Sequence, residues 1–547
     1  MTEDGSTNSG EHKSPAASAA ANSSPVSNVE TRLQDSKNRH LLRAAIVGIL
    51  AGLLAVAFKW VLVEAERSRG NFLEWLHGMP RAEFWGWAVL PIVGLCAGSL
   101  IGWVVLRFAP DAAGSGIPHL KGVLLHVRTM RWKRLLPIKF LGGILGIGVG
   151  LSMGREGPTV QMGAAIGQAV AGLLRIPSRS VPQLLTCGAG AGIAAAFNAP
   201  LAGFLFVIEE MHRELSARTF AGALVAALTA DIVARALGGD LPSFGATGYS
   251  AIPLSALPAA AFVGVAGGLL GVLFNRVLLK SCASARKIRA VPSWMLPGIA
   301  AAICGFAAWW LPEAVGGGHS IAEKLLGGHL GWGLGMLFVL LLVKFVLTIL
   351  SYSSGAPGGI FAPILLLGAI SGAMIGEEIA RFFPALEPHI TAFAVLGMAA
   401  FFTGSIRAPL TGIVLIVEMT GNYQQLLALG VTCLISDLVA GALKDVPIYE
   451  ALLEADVDRM TAEHGALTIT KPHTVYLGIQ HGSSLAGRTI RESGLPAGCL
   501  VIGIERAGQE VLPEARFVML PGDHLMVMVP AGEMEMTTQV VRMATGI

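Results

Sequence analysis

Three short motifs place polar side chains beside glycines and a proline, in a pattern suited to binding an anion. The first is GSGIP at residues 114–118, in which Ser115 can donate a hydroxyl hydrogen bond and Gly116 lets the backbone come close to a ligand. Pro118 suits the first turn of a helix, and the free N–H groups of a helix start favour negative charge. A plain loop that enters a helix is the alternative interpretation.

The second motif, GREGP at residues 154–158, adds a carboxylate at a predicted helix start. Glu156 either caps its own helix or competes with an anion for the same site. In the second interpretation the ionised carboxylate occupies the anion site, and the protonated one leaves it. One side chain would then be both a gate and a proton carrier. A charged residue among apolar segments indicates a function of this kind.

The third motif, GGIFAP at residues 358–363, has the same architecture without the carboxylate. The backbone N–H groups near Ile360 and Phe361 can donate to an anion, although a Gly-Pro hinge explains the motif equally well. Tyr449 closes the series, because its hydroxyl can also donate to an anion. Its alternative is an anchor at the membrane interface, where tyrosine is enriched.

Two adjacent carboxylates, Glu209 and Glu210, follow an apolar run. Neighbouring residues cannot share one face of a helix, so one carboxylate can meet water or a salt bridge while the other faces the interior. The interior carboxylate could then carry a proton. The alternative is a helix that ends at the aqueous surface.

The composition indicates that these motifs lie in a membrane. Charged residues make up only 14% of the 547 residues, against about 25% in soluble domains. The 23 residues from Phe84 to Leu106 and the 32 from Phe345 to Gly376 contain no charge, and a spanning helix needs about 20. A net charge of +3 gives no reason to expect nucleic acid, and the six cysteines lack the spacing of a disulfide or metal site.

An internal repeat predicts the architecture. The pattern A-P-L-x-G-x5-E occurs at residues 199–209 and at 408–418, an offset of 209. A second set of matching prolines and glycines, in residues 158–167 and 363–372, has an offset of 205. Repeats in transporters commonly put the substrate site where the halves meet, at helices broken by glycine or proline. The sequence does not show whether the halves are parallel or inverted.

These patterns divide the chain. A membrane domain is predicted over residues 41–455, with halves at about 41–238 and 256–446. Residues 1–40, rich in Ser, Ala, Asn and charge, are predicted to be a disordered tail. Basic residues concentrated between positions 32 and 43 precede the first apolar run, which predicts a cytoplasmic N-terminus.

The last part of the chain, residues 456–547, has the composition of a linker and a small α/β domain with a core at about 468–535. Residues 498–506 and 524–530 are predicted strands. The sequence Pro521-Gly522-Asp523 predicts a tight turn between them. This domain is predicted to be cytoplasmic.

In this order, GSGIP, GREGP, GGIFAP and a late tyrosine resemble the CLC family of chloride channels and transporters, over about residues 41–455. The resemblance implies an all-α polytopic fold of two inverted halves with broken helices, assembled as a homodimer. By motif position, Glu156 would be the external gating glutamate and Glu210 the internal proton-transfer glutamate. The implied chloride-binding residues are Ser115, Gly116, Arg155, Gly157, Ile360, Phe361 and Tyr449.

The family contains proton-coupled exchangers and passive channels. Exchangers usually keep an acid at the internal position, so Glu210 favours chloride/proton antiport, as does Arg155 in place of the lysine more common in channels. The serine of GSGIP favours chloride over nitrate. The alternative is a passive voltage- or pH-gated chloride channel. No cofactor or metal is implied, and an enzyme is not expected because no metal-ligand cluster or partnered nucleophile occurs in the sequence.

Residues 482–530 resemble the C-terminal module of potassium-transport regulators, the RCK-C or TrkA-C type. Such modules dimerise in other proteins, and some bind small ligands or ions, so a regulatory role and an unidentified ligand are the expectation. The combination suggests a bacterial protein of the inner membrane. The expected partners are chloride, protons, the lipid bilayer and a second copy of the chain.

Overall fold

The computed structural model describes residues 25–545, apart from residues 126, 213–216, 241, 245–248, 328–331, 465–467, 470–472, 481, 507–508 and 531. Most of these residues are helical, and the strands lie near the C-terminal end. The α-helices are α1 (Pro25–His77), α2 (Ala82–Phe108), α3 (Ile117–Leu124), α4 (Trp132–Gly148), α5 (Glu156–Leu173), α6 (Val181–Phe197), α7 (Pro200–Phe206), α8 (Ala217–Gly238), α9 (Leu257–Lys287), α10 (Leu296–Trp310), α11 (His319–Leu326), α12 (Leu334–Ser353), α13 (Phe361–Phe382), α14 (Ile390–Ile406), α15 (Pro409–Thr420), α16 (Leu426–Ala442), α17 (Ile448–His464) and α18 (Met534–Thr545).

Short helical turns connect several of these helices. A π-helical turn, Val207–His212, continues α7. The 3-10 turns are Pro110–Ala112, Ser178–Ser180, Leu254–Ala256, Ser293–Met295, Pro312–Ala314, Pro384–His389 and Tyr423–Gln425.

Within the described residues, nine helices are long and apolar enough to cross a bilayer. Other helices are too short to do so. The 8 residues of α3 and the 7 of α7 reach only about 12 Å and 11 Å. Each begins with a proline in its first turn, so the chain enters them from a loop rather than from a preceding helix. These breaks confirm the predicted polytopic fold with interrupted helices.

The predicted repeat corresponds to a repeated series of helices. The segment α5 to α8 recurs as α13 to α16. Gly163 of α5 lies against the backbone of Gly188 in α6, and Gly368 of α13 lies in the same way against Gly397 in α14. A side chain at any of these positions would collide with the neighbouring backbone, which explains the matching glycines as close helix packing.

The two halves also cap each other. The carboxylate of Glu209 accepts hydrogen bonds from the N–H groups of Leu410 (3.1 Å) and Thr411 (2.7 Å) at the start of α15. In return, the carboxylate of Glu418 accepts from Leu201 (3.1 Å) and Ala202 (2.8 Å) at the start of α7. The last residue of each A-P-L-x-G-x5-E pattern therefore satisfies the helix start of the other copy.

The predicted N-terminal tail needs a correction. Its residues 1–24 lie outside the described residues, but α1 begins at Pro25, so residues 25–40 are helical rather than disordered. The chain contains no glycine or proline between Val26 and Val47, and the helix therefore extends back from the first apolar run without a break.

The C-terminal domain contains a four-stranded antiparallel sheet. Its strands are β2 (His473–Gly478), β3 (Leu500–Arg506), β4 (Gln509–Val511) and β5 (His524–Val529), in the spatial order β2-β5-β3-β4. Val475, Ile504, Leu525 and Val527 point into its core. Of the two predicted strands, one is β3 with a bulge between Val501 and Gly503 and the other is β5. Two further short strands, β1 (Thr468–Ile469) and β6 (Gly532–Glu533), form a separate pair.

The reciprocal caps predict a measurable loss of stability. We expect Glu209→Ala and Glu418→Ala each to lower the free energy of unfolding by about 0.5–2 kcal/mol, because each leaves two N–H groups of a helix start without an acceptor. Thermal unfolding of the purified protein in detergent measures this. Glu387→Ala, at an exposed position, is the matched control. An unchanged melting temperature in both cap variants would contradict the assigned role.

Candidate functional site

Backbone hydrogen bonds join the three glycine-rich motifs. Gly154 and Gly359 form a reciprocal antiparallel pair, in which the N–H of Gly154 donates over 2.7 Å and that of Gly359 over 2.8 Å. Gly114 donates to Ala356 (3.1 Å), and Gly358 donates back to Gly114 (3.0 Å). Loops from three distant parts of the chain therefore meet at one place.

Each of these loops leads into a helix start. Ile117, Glu156 and Phe361 are the first residues of α3, α5 and α13. The Cα of Gly157 packs so tightly that an added Cβ would lie 2.9 Å from the Cβ of Ser115 and 3.1 Å from the Cα of Gly359. Three helix N-termini with their free N–H groups thus converge, which makes the region attractive to an anion.

Gly116 shows why this approach requires glycine. It precedes α3 with φ of 85°, a left-handed conformation that favours glycine. A side chain there would also collide with Gln161 of α5. The loop therefore presents Ser115 to the interior without a neighbouring side chain in the way.

Ser115 is fully buried. Its Oγ accepts a hydrogen bond from the N–H of Ile117 (3.3 Å) and lies 3.4 Å from the hydroxyl oxygen of Tyr352 in α12. Because the hydroxyl proton is not needed for the contact with Ile117, Ser115 can donate it either to Tyr352 or to a ligand.

The buried oxygen atoms without a hydrogen-bond partner among the described residues include the hydroxyl of Tyr449 and Oε2 of Glu156. Tyr449 is fully buried at the start of α17, in the same apolar cluster as Ile117, Ile360 and Phe361. Burying a polar group without a partner is costly, and such a group in a native structure requires an explanation. A bound anion would satisfy the tyrosine hydroxyl.

Glu156 lies at the first position of α5 and is only 2% exposed. Its Oε1 is 3.9 Å from Nε of Arg155, and the backbone N–H of Ala362 in α13 faces its carboxylate. The carboxylate thus sits between the starts of two helices from the two halves. In such a position, both the guanidinium group of Arg155 and the backbone dipoles of the helix starts face the carboxylate.

Ile360 and Phe361 are buried at the start of α13. The ring of Phe361 packs against Phe197, Phe206 and Phe402, with centroids 5.4, 6.3 and 4.8 Å away. This aromatic packing anchors the start of α13 in the core.

The adjacent carboxylates Glu209 and Glu210 point to different surroundings. Glu209 caps α15, and the hydroxyl of Thr411 also donates to it over 2.8 Å. Glu210 is 2% exposed and accepts a hydrogen bond from Nζ of Lys121 in α3 at 2.7 Å. One carboxylate therefore faces the interior as predicted, and the other is half-buried and caps a helix.

A cavity of about 280 Å³ begins at Ser115 and Tyr352. Its wall continues to Asp456 of α17 and to the end of α9, where Arg286 lies. Arg286 donates to Asp456 over 3.0 Å. Charged side chains thus line the route from Ser115 outward, as expected of a water-filled path for an ion.

Comparison with known proteins identifies the family. Residues 97–441 match the model of the family described as voltage gated chloride channel, and residues 475–541 match that of the TrkA-C domain. The H(+)/Cl(-) exchange transporter ClcA of Klebsiella pneumoniae (strain 342) is 38% identical over 435 residues, which cover 78% of this chain and 90% of the relative. The chain belongs to the CLC family. ClcA of Yersinia pestis is 36% identical over 443 residues, covering 79% and 91% of the two chains.

Solved structures agree with this membership. A slow cyanobacterial Cl-/H+ antiporter superposes with a TM-score of 0.73 at 34% identity, over 77% of this chain and 99% of the antiporter. A eukaryotic CLC transporter has a TM-score of 0.64 at 24% identity, over 83% and 78% of the two chains, and supports the fold. The two-half CLC fold and the TrkA-C domain predicted from the motifs are therefore confirmed.

Sequence reasoning missed three polar residues of this CLC site. Lys139 is fully buried in α4. It donates to the carbonyl oxygens of Ala112 (3.0 Å) and of Gly114 (2.6 Å), the first residue of the GSGIP motif. A lone lysine in an apolar run was the available signal. Tyr352 and Lys121 carried no signal, because their partners lie far away in the sequence.

The packing of Gly157 predicts that Gly157→Ala damages the site. The added Cβ would lie 3.0 Å from the carbonyl oxygen of Ser115 and would displace that loop. We expect a loss of about 1–3 kcal/mol in stability and a lower rate of chloride efflux from liposomes.

Gly172→Ala is the control for this prediction. Gly172 lies in the same helix, and an added Cβ there would meet nothing within 4 Å. We expect wild-type flux and equal or higher stability from it. Equal behaviour of the two variants would show that the tight contact with Ser115 is unimportant.

Proposed function

We propose that this chain exchanges chloride for protons across the membrane. The observation that carries the proposal is the buried carboxylate of Glu156 between two helix starts, with one oxygen atom unpartnered, beside the unpartnered hydroxyl of Tyr449. An anion and a proton are the two species that such a site can accept. The relatives named as H(+)/Cl(-) exchange transporters support the same activity.

The central chloride site would use neutral donors. Ser115 and Tyr449 would donate their hydroxyl groups, and the N–H groups of Ile360 and Phe361 would complete the shell. Gly116 and Gly157 would border it and allow the backbone to come close, and Arg155 would lie at its edge. Such multi-point binding, mostly by neutral donors, lets an ion enter and leave.

The coupling between chloride movement and proton movement would arise at Glu156. When ionised, its carboxylate would occupy the outer anion position in place of chloride. When protonated, it would lose its attraction to the helix starts and would leave the position to chloride. Glu210 would supply or remove the proton on the other side, so that chloride and protons move in opposite directions.

The proposal also covers the domain boundaries of the chain, its membrane location and its oligomeric state. A membrane domain over residues 41–455 would be followed by a regulatory TrkA-C domain with its core at about 468–535. Both ends would lie in the cytoplasm of a bacterium, with the membrane domain in the inner membrane as a homodimer. A small ligand or ion at the C-terminal domain would adjust the transport rate.

Proton movement driven only by a chloride gradient tests the proposed exchange. In liposomes that contain the purified protein, we expect uphill proton movement, which Glu210→Ala abolishes while chloride flux persists. Glu156→Ala should also abolish proton movement. Glu209→Ala is the neighbouring control, since its carboxylate caps α15, and it should retain coupling. Chloride flux without proton movement in the wild type would identify a passive channel instead.

A further inference from the structure

The hydroxyl group of Tyr352 lies against the loop that presents Ser115. Tyr352 is near the end of α12 and only 7% exposed. Its hydroxyl oxygen is 3.4 Å from Oγ of Ser115, and the backbone N–H of Ser115 also faces it. A Cβ added to Gly114 would lie 3.3 Å from the same oxygen. Both side chains line the cavity, so two hydroxyl groups meet where the cavity reaches the proposed chloride site.

Backbone hydrogen bonds hold this contact from two directions. The N–H of Gly114 donates to the carbonyl oxygen of Ala356, four residues after Tyr352, over 3.1 Å. On the other side, Nζ of Lys139 donates to the carbonyl oxygen of Gly114 over 2.6 Å. The loop before Ser115 is therefore attached both to the segment after α12 and to α4, which keeps the two hydroxyl groups together.

The two hydroxyl groups carry two protons, and the described residues offer an acceptor for only one of them. A hydroxyl group has one proton and two acceptor positions. Oγ of Ser115 accepts from the N–H of Ile117 at 3.3 Å and shares a hydrogen bond with Tyr352. One proton fills the contact between the two oxygen atoms, whichever group gives it. The other proton then needs an acceptor, and an anion can provide it.

The chemistry of the two groups decides which proton fills the contact. A phenol is a stronger hydrogen-bond donor than an aliphatic alcohol, because its ring takes up part of the negative charge on the oxygen. Tyr352 therefore donates to Ser115, and the N–H of Ile117 fills the other acceptor position of Oγ. The proton of Ser115 is left over. A hydroxyl group that accepts a hydrogen bond is polarised and becomes a better donor itself.

We propose that Tyr352 is a positioning residue, which directs the hydroxyl proton of Ser115 towards chloride. This inference rests on the proposed chloride site. The phenol does not touch the ion. It occupies an acceptor position of Oγ, so that the Ser115 proton keeps one direction and donates more strongly. Without the phenol hydroxyl, that proton is free to rotate and chloride binding weakens.

Calorimetric titration of chloride into the purified full-length protein, in a chloride-free buffer, tests this role. Tyr352→Phe removes the hydroxyl group and keeps the ring. The contact of 3.4 Å is long for two hydroxyl groups, so we expect the Kd for chloride to rise by about twofold to fivefold. Tyr249→Phe is the matched control. It removes a hydroxyl group that donates to Thr420 over 3.3 Å, outside the glycine-rich motifs, and should leave the Kd unchanged.

A double-mutant cycle separates positioning from direct binding and from a structural effect. Ser115→Ala removes the proton that Tyr352 is proposed to direct. In that background, Tyr352→Phe should therefore cause no further rise in Kd. An unchanged Kd in Tyr352→Phe alone, or an equal rise with and without Ser115, would overturn the inference. If Ser115→Ala binds chloride too weakly for calorimetry, the chloride dependence of efflux from liposomes gives the same comparison.

A failure of the proposed chloride site would look different. In that case Ser115→Ala and Tyr449→Phe would both bind chloride as the wild type does, and no effect of Tyr352 would be expected. If these two variants bind more weakly and Tyr352→Phe does not, the chloride site stands and only the positioning role is lost.

Discussion

The site depends on the two backbone hydrogen bonds between Gly154 and Gly359. They fix the loops before α5 and α13 against each other, one from each half of the repeat. Because the loops are fixed, the free N–H groups of both helix starts face the same small volume. Glycine is required for this approach, since a Cβ on Gly359 would lie 3.0 Å from the backbone N of Gly157. Ser115 and Tyr449 then reach the same region from α3 and α17.

The two halves stabilise one another with the same chemistry that forms the site. Glu209 and Glu418 each satisfy the helix start of the opposite half. Buried lysines follow the same rule: Lys139 donates to two carbonyl oxygens, and Lys344 donates to Gly316 over 2.7 Å. Backbone groups thus serve as hydrogen-bond partners for all four of these charged side chains.

Two buried polar atoms of the proposed chloride site lack such a partner. The Tyr449 hydroxyl and Oε2 of Glu156 have no hydrogen-bond partner among the described residues. An anion would accept a hydrogen bond from the hydroxyl, and a proton would satisfy the carboxylate oxygen. The proposed proton-transfer residue has different surroundings, because Glu210 is buried and lies 2.7 Å from the ammonium group of Lys121.

The sequence by itself determined the fold class, the repeat and the three glycine-rich motifs, because apolar length, proline position and glycine spacing are local properties. It also indicated Glu156, since a carboxylate next to a helix start in an apolar chain has few uses. Only the tertiary structure decided which of the two adjacent carboxylates caps a helix and which faces the interior. Lys121 and Glu210 are 89 positions apart, and no local pattern records a contact that forms only when α3 packs beside the turn after α7.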